Sequence, residues 1–124
     1  MEGVGYRNEM ISVGMTDESD IIRAARQYIE ENFREDINRE KIASTVYVTP
    51  NYLSKIFRQT TNHTLREYIN SCRIREAQSM LRNQQESISD VALRVGFDNV
   101  SYFSVVFKRL CGVSPSVWRG IYCA

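Results

Sequence analysis

Ile88-Ser89-Asp90-Val91-Ala92-Leu93-Arg94-Val95-Gly96-Phe97-Asp98-Asn99-Val100-Ser101-Tyr102-Phe103-Ser104-Val105-Val106-Phe107-Lys108 reads as a short helix, a tight turn and a second helix. Ser87 with Asp90 three residues on resembles a capping box. Ile88, Val91, Ala92 and Val95 then recur on one helical face, and Gly96 stops the helix. Asp98 is placed to cap a second helix, which carries Tyr102, Phe103, Val106 and Phe107 inward and ends at Gly112.

The same plan occurs once more, upstream. Ile42-Ala43-x-x-Val46 matches Val91-Ala92-x-x-Val95 at an offset of 49. After a one-residue insertion, Tyr52-Leu53-Ser54-x-x-Phe57-Arg58 matches Tyr102-Phe103-Ser104-x-x-Phe107-Lys108 at an offset of 50, and Asn62-x-Thr64 matches Gly112-x-Ser114. Asn38 is the natural cap of the upstream short helix. Thr49-Pro50 reads as an N-cap with proline at the first helical position, and Asn62 tolerates the left-handed conformation that ends a helix. On the second helix of this pair Tyr52, Leu53, Ile56 and Phe57 point inward.

Around the two hairpins the helical period continues. Ile22, Ala25, Ile29 and Phe33 form one face of a helix that Ser19 or Asp20 caps. Leu65 to Arg82 is a longer helix, and Ser114-Pro115 opens a last turn anchored by Trp118. No run reads as a strand, so the class is all-α. The organisation expected is a flexible leader over 1–18, a first helix-turn-helix subdomain over 19–64, a linker helix over 65–82 and a second subdomain over 83–124.

The chain has 124 residues, the size of one ordinary domain, with 43% apolar and 25% charged residues, a soluble globular composition. Its apolar runs are far shorter than the ~20 residues of a membrane span, and the first twenty residues lack the pattern of a secretory signal. The expectation is a cytoplasmic protein. Cys72, Cys111 and Cys123 are odd in number and widely spaced, and with His63 the only histidine no zinc site is expected. Buried or incidental thiols account for them.

Charge is distributed unevenly behind a net value of +1. Residues 1–40 hold five arginines against ten carboxylates, a balance of −5, and residues 41–124 hold eleven cations against five carboxylates, a balance of +6. A polyanion would meet the later part. The outward face of the first hairpin's second helix carries Asn51, Ser54, Lys55, Arg58 and Gln59, and that of the second carries Ser101, Ser104, Lys108 and Arg109. Packed helical hairpins explain the aromatic residues but not acid-free outward faces, which suit a helix meeting phosphates in a DNA major groove. A linker helix of 18 residues is ~27 Å long, so the two second helices can sit ~34 Å apart, one turn of the duplex.

Residues from about Ile22 to Arg119 resemble the AraC/XylS family of bacterial transcription regulators. The resemblance is carried by the stretch quoted above with Gly112-x-Ser114-Pro115, by Tyr52-Leu53-Ser54-x-x-Phe57, and by Tyr68-Ile69-x-x-x-Arg73-Ile74-x-x-Ala77-x-x-Leu81. It implies seven helices in two homeodomain-like helix-turn-helix subdomains, sequence-specific binding of double-stranded promoter DNA, and no cofactor. It also implies a longer parent protein with a regulatory domain, usually N-terminal. The irregular first 18 residues favour a fragment over a small stand-alone member.

Mapped by position, the resemblance places base readers at Asn51, Ser54 and Lys55 in the first unit and at Val100, Ser101, Ser104 and Val105 in the second. Asparagine makes a bidentate contact to adenine and lysine donates to guanine. Val105 stands where the family often has a long polar side chain, so the first unit should supply most base specificity. Phosphate contacts are expected from Thr49, Arg58, Lys108 and Arg109. For Arg73 a phosphate contact and a salt bridge holding the linker helix remain open. Tyr47 occupies a turn position where glycine is usual, which leaves the shape of the first turn in question.

An enzyme would need a base beside a nucleophile, a phosphate-cradling glycine loop or a metal motif, and none is present. DNA-repair methyltransferases with a similar module carry a cysteine cluster whose spacing these thiols lack. The remaining alternative is a helical module that docks a protein such as RNA polymerase, which Val100 and Val105 would suit.

Overall fold

The computed structural model describes residues 17–123. They form seven α-helices and no strand: α1 (Glu18–Asn32), α2 (Arg39–Thr45), α3 (Pro50–Thr61), α4 (Leu65–Leu81), α5 (Ile88–Arg94), α6 (Val100–Cys111) and α7 (Pro115–Tyr122). The proposed leader lies outside the described residues apart from its last two positions, of which Glu18 already opens α1. Two compact units result, one from residues 17–32 and 37–67, the other from Phe33–Asp36 and residues 68–123.

In the first unit three helices bury one face each. Ile21, Ile22, Ala25 and Ile29 come from α1, Ile42 and Ala43 from α2, and Leu53, Ile56 and Phe57 from α3. A seven-residue helix such as α2 is not stable alone in water, so its packing against α1 and α3 holds it. Capping starts each helix. Asn38 accepts from the Lys41 amide and Thr49 from the Tyr52 amide. At α1 the cap is Asp17, whose carboxylate accepts from the Ser19 amide at 2.8 Å, rather than Ser19 or Asp20.

The second unit gathers Ile74, Ala77 and Leu81 of α4 with the inward residues of α5, α6 and α7. Its centre is a run of rings: Phe97 to Phe103 at 5.3 Å, Phe103 to Phe107 at 5.7 Å, and Phe107 to Trp118 at 5.9 Å, edge-on or tilted as aromatic quadrupoles prefer. Arg119 clamps the end of α4, donating from Nε to the Leu81 carbonyl and from Nη2 to that of Asn83. That satisfies carbonyls a helix end leaves without partners.

Helix α4 has two buried stripes. At about 100° per residue, Leu65, Ile69 and Cys72 share one side, and Ile74, Ala77 and Leu81 fall nearly opposite. Its first turn is closed by a reciprocal capping box: the Glu67 amide donates to Thr64 Oγ1 at 3.0 Å, and the Thr64 amide donates to Glu67 Oε1 at 2.9 Å. The Thr64 amide holds the Glu67 carboxyl below its ordinary pKa, with His63 and Arg58 adding to the effect.

The turns between α2 and α3 and between α5 and α6 share one hydrogen-bond pattern. Val48 N–H donates to the Ala43 carbonyl and Tyr47 N–H to that of Ser44; Phe97 N–H donates to Ala92 and Gly96 N–H to Leu93. This is the Schellman closure, which needs a positive φ at its fifth residue. Gly96 supplies it at φ +114 and Tyr47 at φ +62. The tyrosine ring, 86% exposed, packs on little that would offset the strain. Tyr47→Gly is therefore expected to stabilise the chain by about 0.5–1 kcal/mol, the left-handed penalty less the entropy glycine brings. A urea titration showing a lower midpoint in the variant would contradict this.

Candidate nucleic-acid interface

Helices α3 and α6 are both twelve residues long, and their residues alternate between core and solvent in the same order. Leu53, Ile56 and Phe57 are buried in one; Phe103, Val106 and Phe107, fifty positions on, are buried in the other. Neither helix contains a carboxylate. The exposed side of α3 bears Asn51, Lys55, Arg58 and Gln59, with Ser54 half-buried beside them. That of α6 bears Ser101, Val105, Lys108 and Arg109, with Ser104 half-buried.

Two rings expected inward stand partly outside. Tyr52 is 39% exposed and Tyr102 38%. Each lays its ring along the surface and keeps its hydroxyl for a partner, as an amphipathic side chain does. Tyr52 Oη donates to the Glu18 carboxylate at 3.2 Å, and partial burial with that neighbouring carboxylate raises its pKa. Tyr102 Oη accepts from Asn70 Nδ2 at 3.2 Å, which gives the buried Asn70 amide a partner.

The caps differ by one residue between the units. Asn99, not Asp98, caps α6, accepting from the Tyr102 amide at 3.0 Å. The second turn is one residue longer than the first, so the expected cap falls outside the helix and Asn99 takes the place of Thr49.

Two expected site residues are occupied elsewhere. Arg73 Nε donates to the Phe33 carbonyl at 2.7 Å and Nη2 to that of Glu35 at 3.0 Å, and the guanidinium lies 5.5 Å from the Phe97 ring centroid. It binds carbonyls beyond the end of α1, so its guanidinium holds the linker helix to the segment that follows α1. The Val100 side chain packs against the second unit's core instead of projecting with Ser101 and Val105. Thr49 accepts from the Tyr52 amide with its hydroxyl oxygen, as its place before Pro50 implied.

Arg39 escaped the sequence reading. It opens α2, and its Nη1 donates to Asn51 Oδ1 at 3.1 Å and to Ser54 Oγ at 3.3 Å. No local spacing signals a contact between residues twelve and fifteen apart on two helices.

Among the described residues no group of His, Cys, Asp or Glu is placed to hold a metal, and no helix is long and apolar enough to cross a membrane. Cys72 is buried, and burial raises the Cys111 pKa, partly offset by Gln78 Nε2 donating to its sulfur.

Residues 42–121 match a protein family described as a helix-turn-helix domain. The HTH-type transcriptional activator RhaR of Cronobacter sakazakii is 48% identical over 67 residues, covering 54% of this chain and 24% of that protein. Among solved structures, the C-terminal domain of AraT, a response regulator from Geobacillus stearothermophilus, superposes with a TM-score of 0.79 at 34% identity, over 84% of this chain and 87% of that one. The DNA-binding domain of AdpA, a global transcriptional factor solved in complex with a target DNA, gives 0.75 at 25% identity, over 82% and 91%. The chain spans 24% to 58% of the lengths of the curated relatives it matches.

Proposed function

Because the chain belongs to the AraC/XylS family of transcription regulators and carries its DNA-binding helix-turn-helix domain, we propose that α3 and α6 are its recognition helices. Asn51, Ser54 and Lys55 face base edges from α3, and Ser101, Ser104 and Val105 from α6. Arg58, Lys108, Arg109 and the Thr49 hydroxyl meet phosphates. The observation that carries this reading is the pair of acid-free outward faces on two helices of matching burial. A carboxylate there would repel the backbone of the duplex.

The two helices are unequal readers. Lysine on α3 donates to guanine, whereas Val105 on α6, 58% exposed, offers only a methyl contact to thymine. The first unit thus supplies most base discrimination and the second mostly anchoring. The reading includes no catalytic step and a cytoplasmic site of action. It also includes a regulatory domain outside this chain, supported by the greater length of the relatives.

Binding to promoter DNA is expected to weaken with salt at a log–log slope of about −0.9 per phosphate neutralised. Lys55→Ala should cost about 1–3 kcal/mol on preferred sites and relax the preference, while Arg109→Ala weakens all duplexes alike. Fluorescence anisotropy with specific and scrambled duplexes separates the two effects. Should Lys55→Ala leave the preference intact while Val105→Ala removes it, the roles of the units are exchanged.

A second reading, docking of RNA polymerase, is favoured by exposed apolar residues of the second unit: Leu93, Val105, Leu110, Val117 and Ile121. It is compatible with the first, since an activator touches polymerase while bound to DNA.

A further inference from the structure

Arg39 stands within the α3 reader set, and its chemistry changes what that set can read. A guanidinium only donates hydrogen bonds. The Asn51 amide therefore turns its oxygen to Arg39, at 3.1 Å, and keeps the Nδ2 protons for other partners. Ser54 Oγ accepts from the same nitrogen at 3.3 Å. On its other side Arg39 Nε lies 3.5 Å from the Glu40 carboxylate, so acceptors hold the side chain from two directions.

Asparagine recognises adenine with both ends of its amide, accepting from N6 and donating to N7. With Oδ1 held by a cation, one of its two lone pairs is taken, and an adenine amino group would have to share the oxygen beside a full positive charge. The N–H groups of that amino group are themselves partly positive, so the shared site runs against adenine. Among the three proposed base readers of α3, what is left to point outward is mainly donors: the Nδ2 protons of Asn51, the hydroxyl proton of Ser54 and the ammonium of Lys55. Guanine presents two adjacent acceptors, N7 and O6, in the major groove. Adenine presents one acceptor and a donor, thymine one acceptor, and cytosine a donor.

We infer that Arg39 is a positioning residue that sets base specificity: by holding Asn51 Oδ1 it turns an adenine reader into a donor surface that selects guanine. The inference rests on the proposed placement of α3 against base edges and deepens it.

The test is selection of bound sites from a random duplex pool with the full chain, comparing wild type, Asn51→Ala, Arg39→Met and Arg39→Lys. Thermal melting of each protein beforehand checks that it is folded; Arg39 is half-exposed, so the methionine variant should fold. Wild type is expected to select guanine at the base whose preference Asn51→Ala relaxes. Arg39→Met should shift that base to adenine, by about ten-fold in relative Kd, and Arg39→Lys, still a donor, should keep guanine. The inference is overturned if wild type already takes adenine there, if Arg39→Met leaves the base unchanged, or if Asn51→Ala relaxes no base. A wild-type chain that selects no sequence at all refutes instead the placement of α3 against DNA.

Discussion

Replacing Gly96 by alanine should destabilise the chain by about 3–5 kcal/mol, at the upper end for a single substitution. A Cβ at this position would stand 2.7 Å from Arg73 Nε, 2.8 Å from the Phe33 carbonyl oxygen and 3.2 Å from the Arg34 Cα. Two of those atoms are backbone. The third is the atom that donates to Phe33, so the arginine cannot yield without giving up that bond. Losing a partner for a partly buried charged group costs about 1–3 kcal/mol. The backbone adds to this, because φ at Gly96 is +114, where an L residue is strained in any surroundings. Gly112→Ala is the control: its φ is +88 and nothing lies within 4 Å of the added carbon, so it reports the backbone penalty alone. Urea denaturation of both variants decides the matter. Equal losses would mean that the Arg73 clamp contributes nothing.

Phe107→Ala should cost a similar 3–5 kcal/mol by a different route. The ring is wholly buried and joins Phe103 on one side to Trp118 on the other. Truncation loses the transfer energy of the ring and leaves a cavity that helices α6 and α7 cannot close without moving apart from their other contacts. Because Lys108 and Arg109 follow on the same helix, their placement suffers as well. The midpoint in urea should fall with an unchanged slope. Leu110→Ala, on the same helix but half-exposed, should lose less than about 1 kcal/mol. A loss of that size for Phe107 would show that the second core is held by something other than its row of rings.

The helices were legible where one residue type settles a local question. Thr49 before Pro50, Ser114 before Pro115, and Ser87 three before Asp90 each fix a helix start, and each cap is made. Positive φ at Asn62, Gly96 and Gly112 follows from residue type in the same way. The cap of α6 was misread because Asp98 and Asn99 are both good caps side by side; the length of the turn chose between them. The tyrosines at 52 and 102 sit at apolar positions of the helical period, yet their hydroxyls draw them toward the surface, which periodicity does not encode. Arg39 and Arg73 were beyond reach for a geometric reason. Their partners lie on other segments, twelve to fifteen residues away for one and nearly forty for the other. Only the angle between packed helices brings them together.

The extra residue in the second turn has a consequence for the electrostatic field. Both helices proposed to enter DNA begin on neutral caps, Thr49 and Asn99, so the partial positive charge of their aligned peptide dipoles is not cancelled by the cap itself. In the second unit the inserted residue is Asp98, a full negative charge just before that start in sequence, where the first unit has Val48 before its cap. Asp98 therefore sets a whole negative charge against the roughly half an elementary charge that the dipole supplies at the amino end of α6, a local balance that a net count of +1 does not register.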